Sequence, residues 1–98
     1  MLIITVSIIA AVKVKEGKMS EAMEVLKEIV PKIRESEPGL LAYIPHTVQQ
    51  DPNAIIFYEK YADGDAVKQH MANLAKNMEK FSPLLEPGMD LKNCSEIV

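Results

Sequence analysis

Apolar and polar positions along the chain change period several times, and each change marks an element. Leu2 to Val12 is a nearly unbroken apolar run rich in β-branched residues, among them Ile3, Ile4, Thr5, Val6, Ile8 and Ile9, with Val14 just beyond. It reads as a long first strand. Lys15-Glu16-Gly17-Lys18 breaks it. From Met19 the spacing turns helical: Ala22, Met23, Leu26, Ile29, Val30 and Ile33 share one stripe, which predicts an amphipathic helix. Ser20 is the expected N-cap. Pro31 lies inside this helix. Without an N–H it cannot bond the Lys27 carbonyl, so it should kink or loosen the last turn. Glu37-Pro38-Gly39 then stops the helix.

Leu40 to Val48 reads as a second strand, Gln49-Gln50-Asp51-Pro52-Asn53 as a turn, and Ala54 to Tyr61 as a third strand closing a hairpin. Asp63-Gly64-Asp65 opens a second helix with Val67, Met71, Leu74, Met78 and Phe81 on its apolar stripe. Ser82-Pro83 and Glu86-Pro87-Gly88 end the helical region, and Met89 to Val98 forms the last strand. The order β-α-β-β-α-β predicts an α+β, ferredoxin-like domain, its antiparallel sheet carrying both helices on one face. The other face is then bare. The first strand is apolar on both sides, with Ile4, Val6 and Ile8 on one and Ile3, Ile9 and Ala11 on the other. A strand of that kind needs cover on both sides. No spare element supplies the second cover, so a second copy of the chain is expected to, making a homodimer.

Length agrees with one domain over residues 1–98: 98 residues, 48% of them hydrophobic, hold one modest core. Eleven basic against 14 acidic residues leave a net charge of −3 without a basic cluster. That charge speaks against nucleic acid and anionic membranes as partners. The first apolar run is too short for a membrane helix, which needs about 20 residues. It also lacks the preceding positive charge of a secretory signal. Cys94 is the single cysteine, which excludes an internal disulfide and fits a reducing compartment, so a cytoplasmic protein is expected.

Most motif searches return nothing. The chain has no Gly-rich phosphate loop, dinucleotide fingerprint, CxxC or HExxH. His46 and His70 lie far apart with no acidic residue at ligand spacing, so no metal is expected. Asp63-Gly64-Asp65 is too short for a calcium loop, and Cys94 lacks a nucleophile signature. His70 remains, through its position. On the second helix it falls about 60° from the centre of the apolar stripe, so it still faces the sheet. Asn77 shares that flank and Asn73 lies further round. A row of His70, Asn73 and Asn77 would form the polar edge of any apolar pocket opening there. The plainer reading of the helix geometry is that His70 fills core volume and hydrogen-bonds a strand. Met71 and Met78 read as core filling.

Three segments carry a resemblance. Glu37-Pro38-Gly39-Leu40-Leu41-Ala42-Tyr43 resembles the E-x-G-x-x-x-Y opening of the second strand in the antibiotic biosynthesis monooxygenase family. Phe57 to Asp63 resembles that family's E-x-W-x-D strand end, with Tyr61 in the tryptophan's place. Ala66-Val67-Lys68-Gln69-His70 resembles its A-x-x-x-H helix start. Element order, spacing and length agree over nearly the whole chain. The resemblance implies a dimeric α+β barrel, two sheets packed face to face. The family includes cofactor-free quinol and anthrone monooxygenases, haem-degrading enzymes and an isomerase-like enzyme acting on a signalling molecule, so the fold alone does not fix the reaction. The haem-degrading branch uses a first-strand asparagine and a second-helix tryptophan and histidine. Here the first strand has no asparagine, the chain has no tryptophan, and no histidine stands between Leu74 and Asn77.

The expected activity is therefore oxidation of a small phenolic or quinol-type compound by O₂ without a bound cofactor. His70 is the expected base or proton shuttle, because its ordinary pKa lies nearest working pH. Tyr43 and Tyr61 are candidates to bind substrate oxygens, and Asn73 or Asn77 to orient the substrate. Glu59 and His46 complete the candidate set. Each also has a plainer reading: the tyrosines as core or interface aromatics, Glu59 as a strand-end ion pair, His46 as a surface residue near a loop. Two other functions stay open, a non-catalytic dimeric ligand-binding or assembly module, and an isomerase- or hydrolase-like activity on a small carbonyl compound.

Overall fold

The central strand of the sheet is the first one, β1 (Val6–Lys13), hydrogen-bonded on one side to β3 (Asp51–Tyr61) and on the other to β4 (Asp90–Cys94). On the outer side of β3 lies β2 (Leu40–Val48), so the order is β2-β3-β1-β4 with every neighbour antiparallel. Helices α1 (Met19–Ser36) and α2 (Gly64–Asn77) provide the crossovers. This is the ferredoxin-like α+β arrangement that the hydrophobic pattern predicts. The computed structural model describes residues 4–98. Leu2 and Ile3 of the expected first strand lie outside the described residues.

Strand parity divides the sheet into two faces. Ile8, Ala10, Val12 and Val14 of the β1 segment and Ile55, Phe57, Glu59 and Tyr61 of β3 are buried under the helices. There they meet Ala22, Leu26, Ile29, Val30 and Ile33, the predicted α1 stripe apart from Met23, which is exposed. The opposite face carries the other parity. Ile9 pairs with Tyr58, Ala11 with Ile56, and Ile44 of β2 with Tyr58, and no element of the described chain covers them.

Several boundaries depart from the sequence reading. Helix α1 begins at Met19 with Lys18 at the cap and no side-chain cap bond, so Ser20 is not the N-cap. The helix runs past Pro31 to Ser36. A mid-helix proline costs about 3 kcal/mol. The buried Ile33 and the hydrogen bonds from Arg34 to the Tyr43 carbonyl hold the last turn in place. The β2–β3 turn shrinks to Gln49 and Gln50, and β3 starts at Asp51. Pro52 is tolerated because it stands near the strand's start, and the Asp51 carboxylate pairs with Lys13 and accepts the Asn53 N–H. β4 stops at Cys94, well short of Val98, and its edge residues are exposed. On α2 the expected stripe is displaced. The buried residues are Ala66 and His70, Met71 is exposed, and Phe81 is buried beyond the helix end. The reason is a cavity under the helix.

Candidate active site

Four local features bring the site together. Asp63 caps α2, its Oδ1 accepting the N–H of Ala66, four residues before His70, at 2.9 Å, which fixes the start of the helix. Gly39 begins the run into β2 and touches that same first turn. A Cβ on Gly39 would lie 2.7 Å from the Ala66 Cβ, so only glycine permits this approach. The Gly39 carbonyl also accepts the Ala62 N–H at 2.9 Å. Finally, the register sets Tyr43 opposite Glu59 and leaves Tyr61 two residues on, so all three face α2.

His70 is 1% exposed and sits between two buried carboxyl groups, Glu37 at 2% and Glu59 at 5%. Its Nδ1 lies 2.9 and 3.2 Å from the two Glu37 oxygens. With carboxylate oxygens on that side, Nδ1 carries the hydrogen and donates it. Glu37 also accepts from the Asn73 amide at 2.9 Å. Across the ring, Nε2 stands 3.9 Å from Glu59 Oε1, beyond hydrogen-bond reach. Tyr61 donates its O–H to that same Glu59 oxygen at 2.5 Å. The rings of Tyr43 and Tyr61 flank the imidazole at centroid distances of 5.0 and 5.5 Å.

The electrostatics follow from burial. The Glu59 carboxyl is pushed above its ordinary range by burial, against the opposing pull of the Tyr61 hydrogen bond and of the neighbouring His70. Both tyrosines are raised well above the ordinary phenol value. For Tyr43 the causes are burial and then the Glu59 and Glu37 charges. For Tyr61 they are burial and then its bond to Glu59. Both phenols therefore stay neutral donors at physiological pH.

His70, Glu59 and Tyr43 close one end of a cavity of about 390 Å³, a volume suited to a small organic molecule. Its walls are apolar, with Phe57, Leu74, Met78 and Phe81 among them, and Met71, Met89 and Leu91 stand exposed at its rim. His70, Glu59 and Tyr43 are, apart from the exposed Ser82, the polar residues of an otherwise greasy lining.

The sequence-predicted residues separate accordingly. His70, Tyr43, Tyr61 and Glu59 come together, and Glu59 is a buried carboxyl and not a strand-end ion pair. Asn73 joins from behind, through Glu37. Asn77 bonds the Asn73 carbonyl at 3.1 Å and does not line the cavity. His46 pairs with Ile56 on the opposite sheet face, exposed, its Nδ1 2.9 Å from the Ile44 carbonyl. Met71 and Met78, which the sequence reads as core filling, line the cavity. Glu37 opens the first of the three resembling segments and is absent from the sequence-predicted site residues. Among the described residues no group of three His, Cys, Asp or Glu side chains is arranged to hold a metal.

The residues converging on His70 are those of the three motifs: Glu37, Gly39 and Tyr43, then Glu59, Tyr61 and Asp63, then Ala66 and His70 itself. The sequence model of the antibiotic biosynthesis monooxygenase family matches residues 5–77. The chain belongs to that family. Membership supports a monooxygenase-type role, and members of the family are commonly dimeric. No curated protein matches the sequence. Solved structures share the fold at low identity. A protein of Caulobacter crescentus CB15, provisionally described as an antibiotic biosynthesis monooxygenase, superposes with a TM-score of 0.88 at 20% identity, covering 98% of this chain and 92% of its own. A conserved protein of Methanosarcina mazei Go1 gives 0.82 at 18%, covering 94% and 92%. A Shewanella oneidensis protein gives 0.82 at 22%, covering 97% and 93%. Among the described residues no helix of this family member is long and apolar enough to cross a membrane.

Proposed function

We propose that this family member is a cofactor-independent monooxygenase acting on a small phenolic or quinol-type compound with O₂. The observation that carries the reading is the buried Glu37–His70 pair at the closed end of an apolar cavity, its Nε2 turned toward Glu59. With Nδ1–H committed to Glu37, Nε2 is the free acceptor. A substrate hydroxyl set before it loses its proton to Nε2, and the Tyr43 phenol, kept neutral by burial, donates to the resulting oxyanion. The apolar walls exclude water and keep the anion electron-rich.

O₂ then takes electron density from the ring carbon beside the oxyanion, and a C–O bond forms to give a hydroperoxide. A proton from the His70–Glu59 pair assists O–O cleavage. The carbon becomes a carbonyl, and the second oxygen leaves as water with two hydrogens of the substrate. One oxygen atom enters the product and no outside reductant is consumed. Labelling with ¹⁸O₂ tests this: one labelled atom in a quinone product supports the reading, and unlabelled product sinks it.

The active unit is read as a homodimer. Ile9, Ile56, Tyr58 and Ile44 form an apolar strip on the helix-free face, the kind of surface a second sheet would cover. A second reading draws on the 3.9 Å spacing of Nε2 and Glu59. Two proton carriers so placed would also move a proton between carbons of a small carbonyl compound. That isomerisation needs no O₂, so activity surviving under nitrogen would select it.

A further inference from the structure

A second cavity, of about 420 Å³, opens between α1 and the β2–β3 edge of the sheet, and it shares no lining residue with the His70 cavity. Its floor is the buried trio Leu26, Val30 and Ile55. Pro31 places an apolar ring without an amide donor in its wall, giving a role to a proline that the fold of α1 does not require. Two charged residues line it, Lys27 and Arg34, and no carboxylate does, in a chain whose net charge is −3.

Both cations are open to an anion. Arg34 spends Nε and Nη2 on the Tyr43 carbonyl, at 3.0 and 2.6 Å, and among the described residues no carboxylate pairs with it. Lys27 meets Glu24 at 3.2 Å in a solvent-exposed pair, which a ligand carboxylate displaces at little cost. An apolar space with cations alone at its edge is complementary to an apolar acid. We propose that this cavity binds a medium-chain carboxylate, its hydrocarbon on Leu26, Val30 and Ile55 and its carboxylate between Lys27 and Arg34. The site is independent of the chemistry at His70.

Methionine methyl groups report the two cavities separately, since Met23 lines this one and Met71, Met78 and Met89 line the other. Decanoate is titrated into full-length protein carrying ¹³C-methyl methionine. The expected result is a saturable shift of Met23 with Met71 and Met89 unmoved. Decanol, with the same chain and no charge, should bind about tenfold more weakly, and Lys27→Glu should weaken decanoate about fivefold with an unchanged unfolding midpoint. Arg34→Gln should weaken it as well, and Lys27→Glu keeps the test valid if that variant disturbs Tyr43. Equal binding of decanol, or shifts at Met71 and Met89 in place of Met23, would overturn the proposal. So would sedimentation showing that decanoate splits a dimer, because the groove would then belong to a second copy of the chain.

Discussion

Nδ1 of His70 sits 2.9 Å from Oε1 of Glu37, a residue 33 positions earlier in the chain. The contact ties the end of α1 to the middle of α2 and fixes which imidazole nitrogen is free. Glu37→Gln keeps the shape but replaces the charged acceptor with a weaker one. Turnover should fall about a hundredfold while the fold survives. Glu37→Ala leaves the buried His70 N–H without its acceptor and the Asn73 amide with only its 3.2 Å bond to Ser36 Oγ, and urea unfolding should show a loss of about 1–3 kcal/mol.

Glu59 sets a pH dependence of stability. Its carboxyl is raised above the ordinary 4.5 in the folded state, chiefly by burial. Folding therefore favours the protonated form. The associated stability is fully present below the unfolded carboxylate value and is lost as pH rises through the higher folded value. Glu59→Gln cannot ionise. Urea midpoints measured from pH 4 to pH 8, a range of about four units chosen to bracket the carboxylate titration, should fall less in the variant than in the wild type. Parallel curves would show that Glu59 titrates normally.

Gly39 should be irreplaceable for a steric reason. Gly39→Ala puts a methyl group 2.7 Å from the Ala66 Cβ, so the first turn of α2 must move and carry His70 with it. We expect a loss of about 1–3 kcal/mol. The Tyr43–His70 ring contact, followed by ring-current shifts in NMR spectra, should change as well. An unaltered spectrum would mean that the helix start has slack.

Much of this site was open to a reading of the sequence, and the rest was hidden for identifiable reasons. Element order followed from period changes, because each stripe or alternation is long enough to declare itself. Helix geometry put His70 toward the sheet. Glu59 was legible too: Ile55, Phe57, Glu59 and Tyr61 share one parity, and three apolar members imply a buried fourth. Charge alone made it look like a surface residue. The same parity places His46 with Ile44 on the far face. Glu37 was hidden more deeply. Glu37-Pro38-Gly39 reads as a helix stop, and nothing local says that the side chain turns inward to a histidine 33 residues on. Pro31 misled in the opposite sense, since tertiary contacts of Ile33 and Arg34 hold a turn that the proline weakens.

The helix-free face predicts assembly. Ile56→Lys places a charge in the centre of the apolar strip, opposite Ala11 and His46. Sedimentation should show the wild type as a dimer and this variant as a folded monomer. A wild-type monomer at micromolar concentration would remove the dimer from the account.

Oxygen consumption tests the central claim most directly. Purified, chelator-treated protein is assayed in an oxygen electrode against hydroquinones, anthrones and catechols, with His70→Ala alongside. Uptake above autoxidation for one of these classes, falling to background in a variant that still folds, is the predicted result. Uptake that His70→Ala leaves unchanged, or none from folded wild-type dimer with any class, would contradict an oxygenase centred on His70.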